Sequence, residues 1–343
     1  MTSPSEQTLL ITGANSFVGG HIISLALNKG YHVRGTVRSE ASAAKAAALF
    51  PEYASTLSLS VIGDSSDEKS YAKAFAGTSK PITGVINVAA PFLLKVDNIA
   101  AELLDPAVNC ALAIIQATKN YGTHVRRFIN TSSFAAICDF SQGFRPGYTY
   151  TEEDWNPQGY QDALKADVPT AYCISKALAE KALWDFIAQE KPAFSLTALN
   201  PAWVFGPHVG PITNLKSLNE STEALHKMLD AKSIPGTDFA AFCDVRTVAV
   251  AHIASFETPE AANQRFLLGQ HFDYQSAADA ARQDLPELKS RIPEGAVGAG
   301  KVEPVYAVNG NKAERVLGLK YIPLEQCMKD SFIQLLTAEK TAM

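Results

Sequence analysis

The sequence has few of the features that mark secreted, membrane-spanning or metal-stabilised proteins. Its five cysteines are widely spaced and form no C-x-x-C pair, so neither a disulfide framework nor a zinc ribbon is indicated. No apolar run approaches the roughly 18 residues that span a bilayer. Residues 1–7 carry a charge only at Glu6, unlike the start of a signal peptide. We therefore expect a soluble, cytoplasmic protein with reduced cysteines and without a metal site.

Positive charge is also scarce relative to negative charge. Lys and Arg total 30 against 35 Asp and Glu, a formal net charge of -5. Nucleic acids and anionic membranes attract basic surfaces, so we expect neither as a partner. With 343 residues, 47% of them hydrophobic, the chain can bury one large core or two fused domains. Whether it forms a homodimer stays open.

Apolar segments typical of strands and helices alternate along the first 200 residues. Strands are predicted at 9–12, 31–37, 57–62, 84–88, 127–130 and 196–200, and helices at 17–28, 41–50, 68–76, 106–121 and 171–189. This alternation predicts an α/β fold, a doubly wound parallel sheet of the Rossmann type, in which ligands bind beyond the carboxyl ends of the strands.

The alternation weakens after Pro201, where proline and glycine become more frequent. Helices are predicted at 215–229, at 248–256 and after Leu324, with an extended segment at 240–245. We therefore expect residues 1–200 to form the dinucleotide-binding domain. Residues 201–343 are expected to form mainly a smaller substrate-binding domain, with some segments returning to the Rossmann core.

A glycine-containing turn joins the first strand to the first helix. It reads TGANSFVG from Thr12 to Gly19. Gly13 can take a turn conformation that a Cβ forbids, Gly19 allows close packing of the helix, and the helix N-terminus offers free N–H groups to a pyrophosphate. A plain tight turn is the alternative. The residues expected to contact the cofactor here are Gly13, Asn15, Ser16, Phe17, Val18 and Gly19.

The second strand distinguishes between the two nicotinamide dinucleotides. NAD sites usually carry an acidic residue near the end of this strand, and none occurs here before Glu40. Arg38 and Lys45 could instead bind a 2′-phosphate, although both could be ordinary surface charges. Asp64, after the third strand, is a candidate partner for the adenine amino group. NADPH is therefore favoured over NADH.

Tyr172 and Lys176 lie four residues apart on a predicted helix, which places both side chains on one face. A free phenol has a pKa of about 10. We expect the lysine charge to lower that pKa towards neutrality, so that Tyr172 can donate a proton to a carbonyl oxygen. Lys176 can also bind the hydroxyls of the nicotinamide ribose. Both residues therefore belong to the catalytic and to the cofactor set.

A serine pair follows the fifth strand directly, in Asn130-Thr131-Ser132-Ser133. A hydroxyl there could donate a hydrogen bond to the substrate oxygen as negative charge develops on it. Ser133 is the preferred candidate. Ser132, one residue earlier, is its rival.

These motifs together resemble the extended short-chain dehydrogenases/reductases, and within them the fungal NADPH-dependent ketoreductases and methylglyoxal reductases. The similarity rests on TGANSFVG, NTSSFAA, AYCISK and LNPAWVFGP, and extends to DVRTVAVAH and NKAERVLGLKY. It implies Ser133, Tyr172 and Lys176 as the catalytic triad. It further implies Arg38 and Lys45 at the 2′-phosphate, Pro201, Val204 and Phe205 near the nicotinamide, and a proton-relay position at Asn109. Ala89, Pro201 and Val204 are also expected to contact the cofactor.

The chain departs from the family pattern at two positions. Ser16 stands where the family has the middle glycine of the turn, so the turn must tolerate a side chain, or Ser16 itself contacts a phosphate oxygen. Thr247 replaces the usual aspartate of a D-V-R-D motif, which puts a local structural hydrogen bond in question.

Aromatic residues near the expected nicotinamide position suggest an apolar pocket. Its candidates are Phe92, Phe134, Trp203 and Phe205 beside Tyr172, although each could equally be part of the core. No cluster of Arg or Lys indicates a nucleotide-sugar or CoA phosphate.

The sequence therefore predicts an NADPH-dependent carbonyl reductase. Aryl ketones, ketoesters and α-dicarbonyls are its expected small-molecule substrates, and chiral alcohols its products. A non-catalytic NADP-binding sensor is one alternative. An NAD-dependent nucleotide-sugar epimerase or dehydratase is another, against which the missing acid after the second strand argues.

Overall fold

The computed structural model describes residues 2–90, 96–302 and 304–342. Its strands are β1 (Thr8–Ile11), β2 (His32–Val37), β3 (Leu57–Val61), β4 (Ile82–Asn87), β5 (Arg127–Thr131), β6 (Thr149–Tyr150), β7 (Ser195–Pro201), β8 (Trp203–Phe205), β9 (Ala241–Asp244), β10 (Gln264–Leu268), β11 (Gln270–His271) and β12 (Ala307–Val308). Within the described residues, seven of them form one parallel sheet in the order β3-β2-β1-β4-β5-β7-β10.

The helices are α1 (Phe17–Asn28), α2 (Glu40–Ala48), α3 (Ala72–Phe75), α4 (Asp105–Tyr121), α5 (Tyr160–Ala163), α6 (Val168–Glu190), α7 (Glu220–His226), α8 (Val245–Glu257), α9 (Tyr274–Asp284), α10 (Asn311–Leu317) and α11 (Leu324–Ala342). A π-helical turn, Ala100–Leu104, leads into α4. Pro106 follows it and has no N–H to donate to the helix ladder.

Helices cover both faces of the parallel sheet. Successive residues of β1 point to opposite layers: Leu9 and Ile11 join the core formed with α1 and α8, while Leu10 joins the core formed with α4 and α6. This is the side-chain alternation of a strand that is buried on both faces. The strand order reverses between β1 and β4, so the carboxyl ends of these strands open the crevice in which doubly wound folds bind ligands.

The predicted Rossmann-type fold is confirmed. All six predicted strands occur, with ends shifted by up to two residues, and helix 17–28 has the predicted bounds. The predicted helix 68–76 is instead a 3-10 turn, Glu68–Tyr71, followed by the short α3. The predicted helix 215–229 is reduced to α7, Glu220–His226. In the loop before it, the Gln334 side chain donates to the carbonyls of His208 and Gly210 at 3.1 and 3.0 Å.

A second core lies in the C-terminal half. Strands β8, β9 and β11 form a small sheet, and Phe205, Phe242 and Phe272 pack on helices α7, α9 and α11. Two elements after residue 201 nevertheless pack with the large sheet and its helices: β10 pairs with β7, and α8 packs on α1. The division into domains at residue 200 stays a prediction.

One helical segment, Ala100–Tyr121, is long and apolar enough by composition to cross a membrane. Half of its most apolar stretch is buried within the protein, where Leu103 and Leu104 pack against Ala171 and Ile174 of α6. It therefore has the surroundings of a core helix.

Candidate active site

The turn after β1 requires glycine at two positions. Gly13 has φ +67°, and a Cβ there would lie 3.3 Å from the backbone of Ala89. A Cβ on Gly19 would lie 2.3 Å from the carbonyl oxygen of Gly13, which is closer than atoms can approach without moving the backbone. The turn is thus closed tightly around the N-terminus of α1, with Asn15 and Ser16 exposed and Phe17 and Val18 half-buried.

Ser16 occupies the middle position of the turn by capping the helix. Its backbone is extended, and its Oγ accepts a hydrogen bond from the N–H of Gly19 at 3.0 Å. The side chain is therefore folded onto the first turn of α1, an ordinary N-cap arrangement. The hydroxyl hydrogen remains available to donate, so the residue is compatible with an anion at this helix end.

A buried polar network ties together the strands beneath this turn. The Thr12 hydroxyl accepts from the N–H groups of Val88 and Ala89, each at 2.9 Å, and donates to Oδ1 of Asn87. The Asn87 amide donates in turn to Oδ1 of Asn130. These bonds fix the carboxyl ends of β1, β4 and β5 and hold Ala89 against Gly13. The sequence predictions did not include this network, although polar residues at the ends of three neighbouring strands could have indicated it.

The residues proposed for the adenosine end of the cofactor are all solvent-exposed. Arg38 follows β2, and Lys45 lies on α2, whose N-cap is Ser39. Asp64 accepts hydrogen bonds from the N–H and the hydroxyl of Ser66, and these lower the pKa of its carboxyl. This edge therefore presents two cations near the end of β2 and an ionised carboxylate after β3.

Helix α6 carries Tyr172 and Lys176 on one face, as the spacing predicts. The Lys176 Nζ lies 5.1 Å from the centre of the Tyr172 ring. Lys176 lines the same small cavity as Asn130, Thr131 and Ser132, at the carboxyl end of β5. The short 3-10 turn Phe134–Ala136 that follows Ser133 packs against α6. The structure thus places the predicted Tyr172–Lys176 pair on the helix that contacts the turn after Ser133.

Burial governs the protonation of this pair. It lowers the pKa of Lys176 to about 8 and raises the pKa of Tyr172 above its ordinary value. The pKa of Tyr172 thus shifts in the direction opposite to the expected one, because burial removes the water that would solvate the phenolate. At neutral pH the phenol holds its proton, as a proton donor must.

The two serines after β5 have different partners. The Ser132 hydroxyl donates to Oε2 of the buried Glu180 at 2.5 Å. The Ser133 Oγ accepts from the N–H of Ala135 at 3.1 Å, as the cap of the turn, which leaves its hydrogen free for another acceptor. This difference favours Ser133 over Ser132 as the donor to a substrate oxygen.

The aromatic pocket candidates separate into core and partly exposed residues. Phe134 is fully buried against Tyr150 and Tyr306, and Phe205 is buried between Trp203 and Phe272. These two belong to the core, since packing around them leaves no surface for a ligand. Trp203 is half-buried, and its indole N–H donates to Asp238. Phe92 lies outside the described residues.

Four further residues singled out by the sequence differ in burial and in their contacts. Pro201 ends β7 and is buried, and Val204 in β8 is half-buried. Asn109 is exposed on an outer groove between α4 and α6, beside Gln116 and Asp185, so it does not face the reacting groups. Thr247 accepts a hydrogen bond from the N–H of Ile322 at 3.3 Å.

A small enclosed cavity, rather than Asn109, adjoins Lys176. Asn87, Asn130, Ser132, Lys176 and Glu180 supply its polar lining, and Cys110 faces it from α4. Asn109 points outward because it is the neighbour of Cys110 on the helix, about 100° away around the helix axis.

Several known proteins of similar sequence and structure are named reductases. The chain is 33% identical over 344 residues to the NADPH-dependent methylglyoxal reductase of Saccharomyces cerevisiae, covering 97% of this chain and 99% of that protein. It is 31% identical to a ketoreductase of Aspergillus niger, covering 96% and 97%.

The structure is similar to that of the yeast methylglyoxal/isovaleraldehyde reductase complexed with NADPH. The TM-score is 0.91 at 32% identity, with 97% of this chain and 99% of that chain covered. The resemblance inferred from the motifs is thereby confirmed. Residues 9–269 match the NAD dependent epimerase/dehydratase family, and the chain belongs to that family.

Proposed function

We propose that the protein is an NADPH-dependent carbonyl reductase that converts ketones or aldehydes to alcohols. The observation that carries this proposal is the pairing of Tyr172 with Lys176 on α6, the helix that packs against the turn following Ser133. Relatives that match nearly the whole chain are named NADPH-dependent reductases, which supports both the oxidoreductase class and the cofactor.

The residues present fit a dinucleotide with a 2′-phosphate. The positions of Gly13 and Gly19 leave room only for hydrogen where the chain turns, and the N-terminus of α1 offers amide donors to a pyrophosphate. Arg38 and Lys45 would bind the 2′-phosphate, and Lys176 the nicotinamide ribose. NADPH, when bound, supplies the hydride for the reaction.

Ser133, Tyr172 and Lys176 each have a separate role in the proposed reaction. Ser133 donates a hydrogen bond to the carbonyl oxygen and stabilises the negative charge that develops there as the carbonyl carbon accepts hydride. Tyr172 gives its phenolic proton to that oxygen, completing the alcohol. The Lys176 ammonium, 5.1 Å from the Tyr172 ring centre, stabilises the phenolate that remains until a solvent proton restores it.

We infer that the substrates are apolar carbonyl compounds. The half-buried Trp203, on β8 after β7, offers an aromatic surface. Aryl ketones, ketoesters and α-dicarbonyls are therefore the proposed substrates. The methylglyoxal named for the yeast relative is an α-dicarbonyl and belongs in the same panel.

The family name also includes epimerases and dehydratases, but the end of β2 argues against them. Such enzymes keep NAD bound throughout the reaction, whereas this strand is followed by Arg38 and has no acidic residue before Glu40. An NADP-binding sensor would need neither Tyr172 nor Lys176.

The experiment is the consumption of NADPH with the carbonyl panel, by the wild type and by Tyr172→Phe. We expect turnover in the wild type, and its loss in Tyr172→Phe with NADPH binding retained. Tyr53→Phe, which removes a surface hydroxyl bonded to Asn28, is the matched control and should keep full activity. Tight NADPH binding without turnover of any substrate would contradict the proposal and favour the sensor.

A further inference from the structure

Glu180 is a carboxylate buried directly behind the proposed catalytic residues. It is 1% exposed and receives hydrogen bonds from four side chains: Ser132, Trp184, Asn200 and Arg265. A charged group is rarely buried unless its charge is compensated and its oxygens are fully bonded. Because burying a carboxylate costs solvation free energy even when it is compensated, this arrangement indicates a role beyond packing.

The two carboxylate oxygens face in different directions. Oε1 accepts from the Trp184 indole at 3.1 Å and from Nε of Arg265 at 2.7 Å. Oε2 accepts from the Ser132 hydroxyl at 2.5 Å and from Nδ2 of Asn200 at 2.7 Å. One oxygen is therefore engaged by the supporting structure, and the other by residues at the ends of β5 and β7.

Arg265 provides the compensating charge from a fixed position. Its guanidinium lies 3.5 Å from the centre of the Trp155 ring, and Nη1 donates to the carbonyls of Glu152 and Asp154. The carboxylate is thus held from behind by a cation that cannot easily move.

Asn200 extends this arrangement to Ser133. Its Nδ2 donates both to Glu180 and to the carbonyl oxygen of Ser133, the latter at 3.1 Å. The buried Oδ1 of Asn200 has no hydrogen-bond partner in the described part of the chain. The amide orientation is therefore set by the two bonds of Nδ2, of which the bond to the charged Glu180 is the stronger.

Glu180 also stands one helical turn after Lys176 on α6. Both side chains line the small cavity between α4 and α6. Glu180 therefore lies beside Lys176 on α6 and beside Ser132 at the end of β5.

We propose that Glu180 is a positioning residue of the reductase, acting through Asn200 on Ser133. Its Oε2 fixes the Asn200 amide, which holds the Ser133 backbone so that the hydroxyl is directed at the substrate oxygen. This inference rests on the proposed function. The arrangement favours the carboxylate, because an amide in its place would set an N–H donor either against Trp184 and Arg265 or against Nδ2 of Asn200.

The test compares Glu180→Gln and Asn200→Ala with Trp184→Phe. Trp184→Phe removes a hydrogen bond from the same carboxylate on the side away from Ser133, so it is the matched control. We expect kcat to fall by about 10- to 100-fold in the first two variants, the scale of a small misplacement at a reacting centre. The Kd for NADPH should change by less than about twofold, and Trp184→Phe should keep its kcat.

Two further readouts distinguish positioning from a general loss of stability. With NADPH deuterated at the transferred position, the isotope effect on kcat should increase in Glu180→Gln and Asn200→Ala, because hydride transfer becomes more fully rate-limiting. The double variant should lose little more than the worse single variant, since both act along one path. If Glu180→Gln is not recovered folded, the kcat of Asn200→Ala compared with that of Trp184→Phe tests the proposal.

Several outcomes would overturn the inference. One is a kcat within about twofold of wild type in both variants; another is an equal loss of kcat in Trp184→Phe. Tyr172→Phe, measured alongside, separates this inference from the proposed function. If Tyr172→Phe is inactive while Glu180→Gln and Asn200→Ala are fully active, the positioning role of Glu180 is refuted and the proposed function stands. If the wild type shows no turnover, both are refuted.

Discussion

The charge of Lys176 gives the reductase a pH dependence that can be calculated. Burial lowers the pKa of the Lys176 ammonium to about 8, from an ordinary value of about 10.4. With one proton and a pKa of about 8, roughly 90% of the molecules carry the charge at pH 7 and roughly 10% at pH 9. If only the charged form binds cofactor productively, kcat/KM for NADPH should fall about tenfold over that interval.

The assay is kcat/KM for NADPH between about pH 6 and about pH 10, because this parameter reports ionisations of the free enzyme. The pKa of Tyr172 is raised by burial, so the phenol stays protonated over most of this range and does not cause the decline. Lys176→Arg is the informative variant, since a guanidinium keeps its charge throughout. It should lower activity overall but abolish the alkaline decline. A wild-type profile that is flat to about pH 10, or an unchanged decline in Lys176→Arg, would refute the reasoning.

Four further predictions concern the cofactor site, the core and the outer groove. Gly19→Ala places a Cβ 2.3 Å from the Gly13 carbonyl oxygen, so the turn must shift. If that shift removes one amide hydrogen bond to a charged phosphate, about 1.5–3 kcal/mol is lost. The Kd for NADPH, measured by fluorescence titration, should then rise about 10- to 100-fold. Arg38→Ala should raise the KM for NADPH by a similar factor and leave that for NADH unchanged, and an equal change for both cofactors would contradict this. Phe134→Ala should lower the free energy of unfolding by about 3–5 kcal/mol in a denaturant titration, because Phe134 is fully buried. Asn109 is exposed, so Asn109→Ala should keep kcat within about twofold. A tenfold loss of kcat would instead show that Asn109 relays protons.

Local patterns were enough to predict the part of the fold that holds the cofactor. The apolar runs ending at Thr12, Val37 and Val88 are complete strands with their turn residues, so each can be recognised from a short window of sequence. The strand β10, Gln264–Leu268, could not be recognised in this way. Only the last three of its residues are buried, and its place in the sheet depends on β7, far earlier in the chain.

The catalytic residues could be predicted by spacing, but their surroundings could not. The four-residue interval between Tyr172 and Lys176 fixes their common face on a helix. The direction of the Tyr172 pKa depends on burial by other segments, which spacing does not report. The role of Glu180 was likewise out of reach, because its compensating charge comes from Arg265, 85 residues later. Phe134 was misplaced for the same reason: its partner Tyr306 comes from the last part of the chain.

The most direct test of the account follows the hydride and the proton in a single turnover. The wild type and Tyr172→Phe are each loaded with NADPH deuterated at the transferred position and mixed with an aryl ketone, and the product is analysed by mass spectrometry. We expect the wild type to form an alcohol with one deuterium on the carbinol carbon, in equal amount to the NADPH consumed, and Tyr172→Phe to bind NADPH but form almost none. Wild-type NADPH that stays unreacted, or an alcohol formed equally well by Tyr172→Phe, would contradict the assignment of this site as a carbonyl reductase with Tyr172 as proton donor.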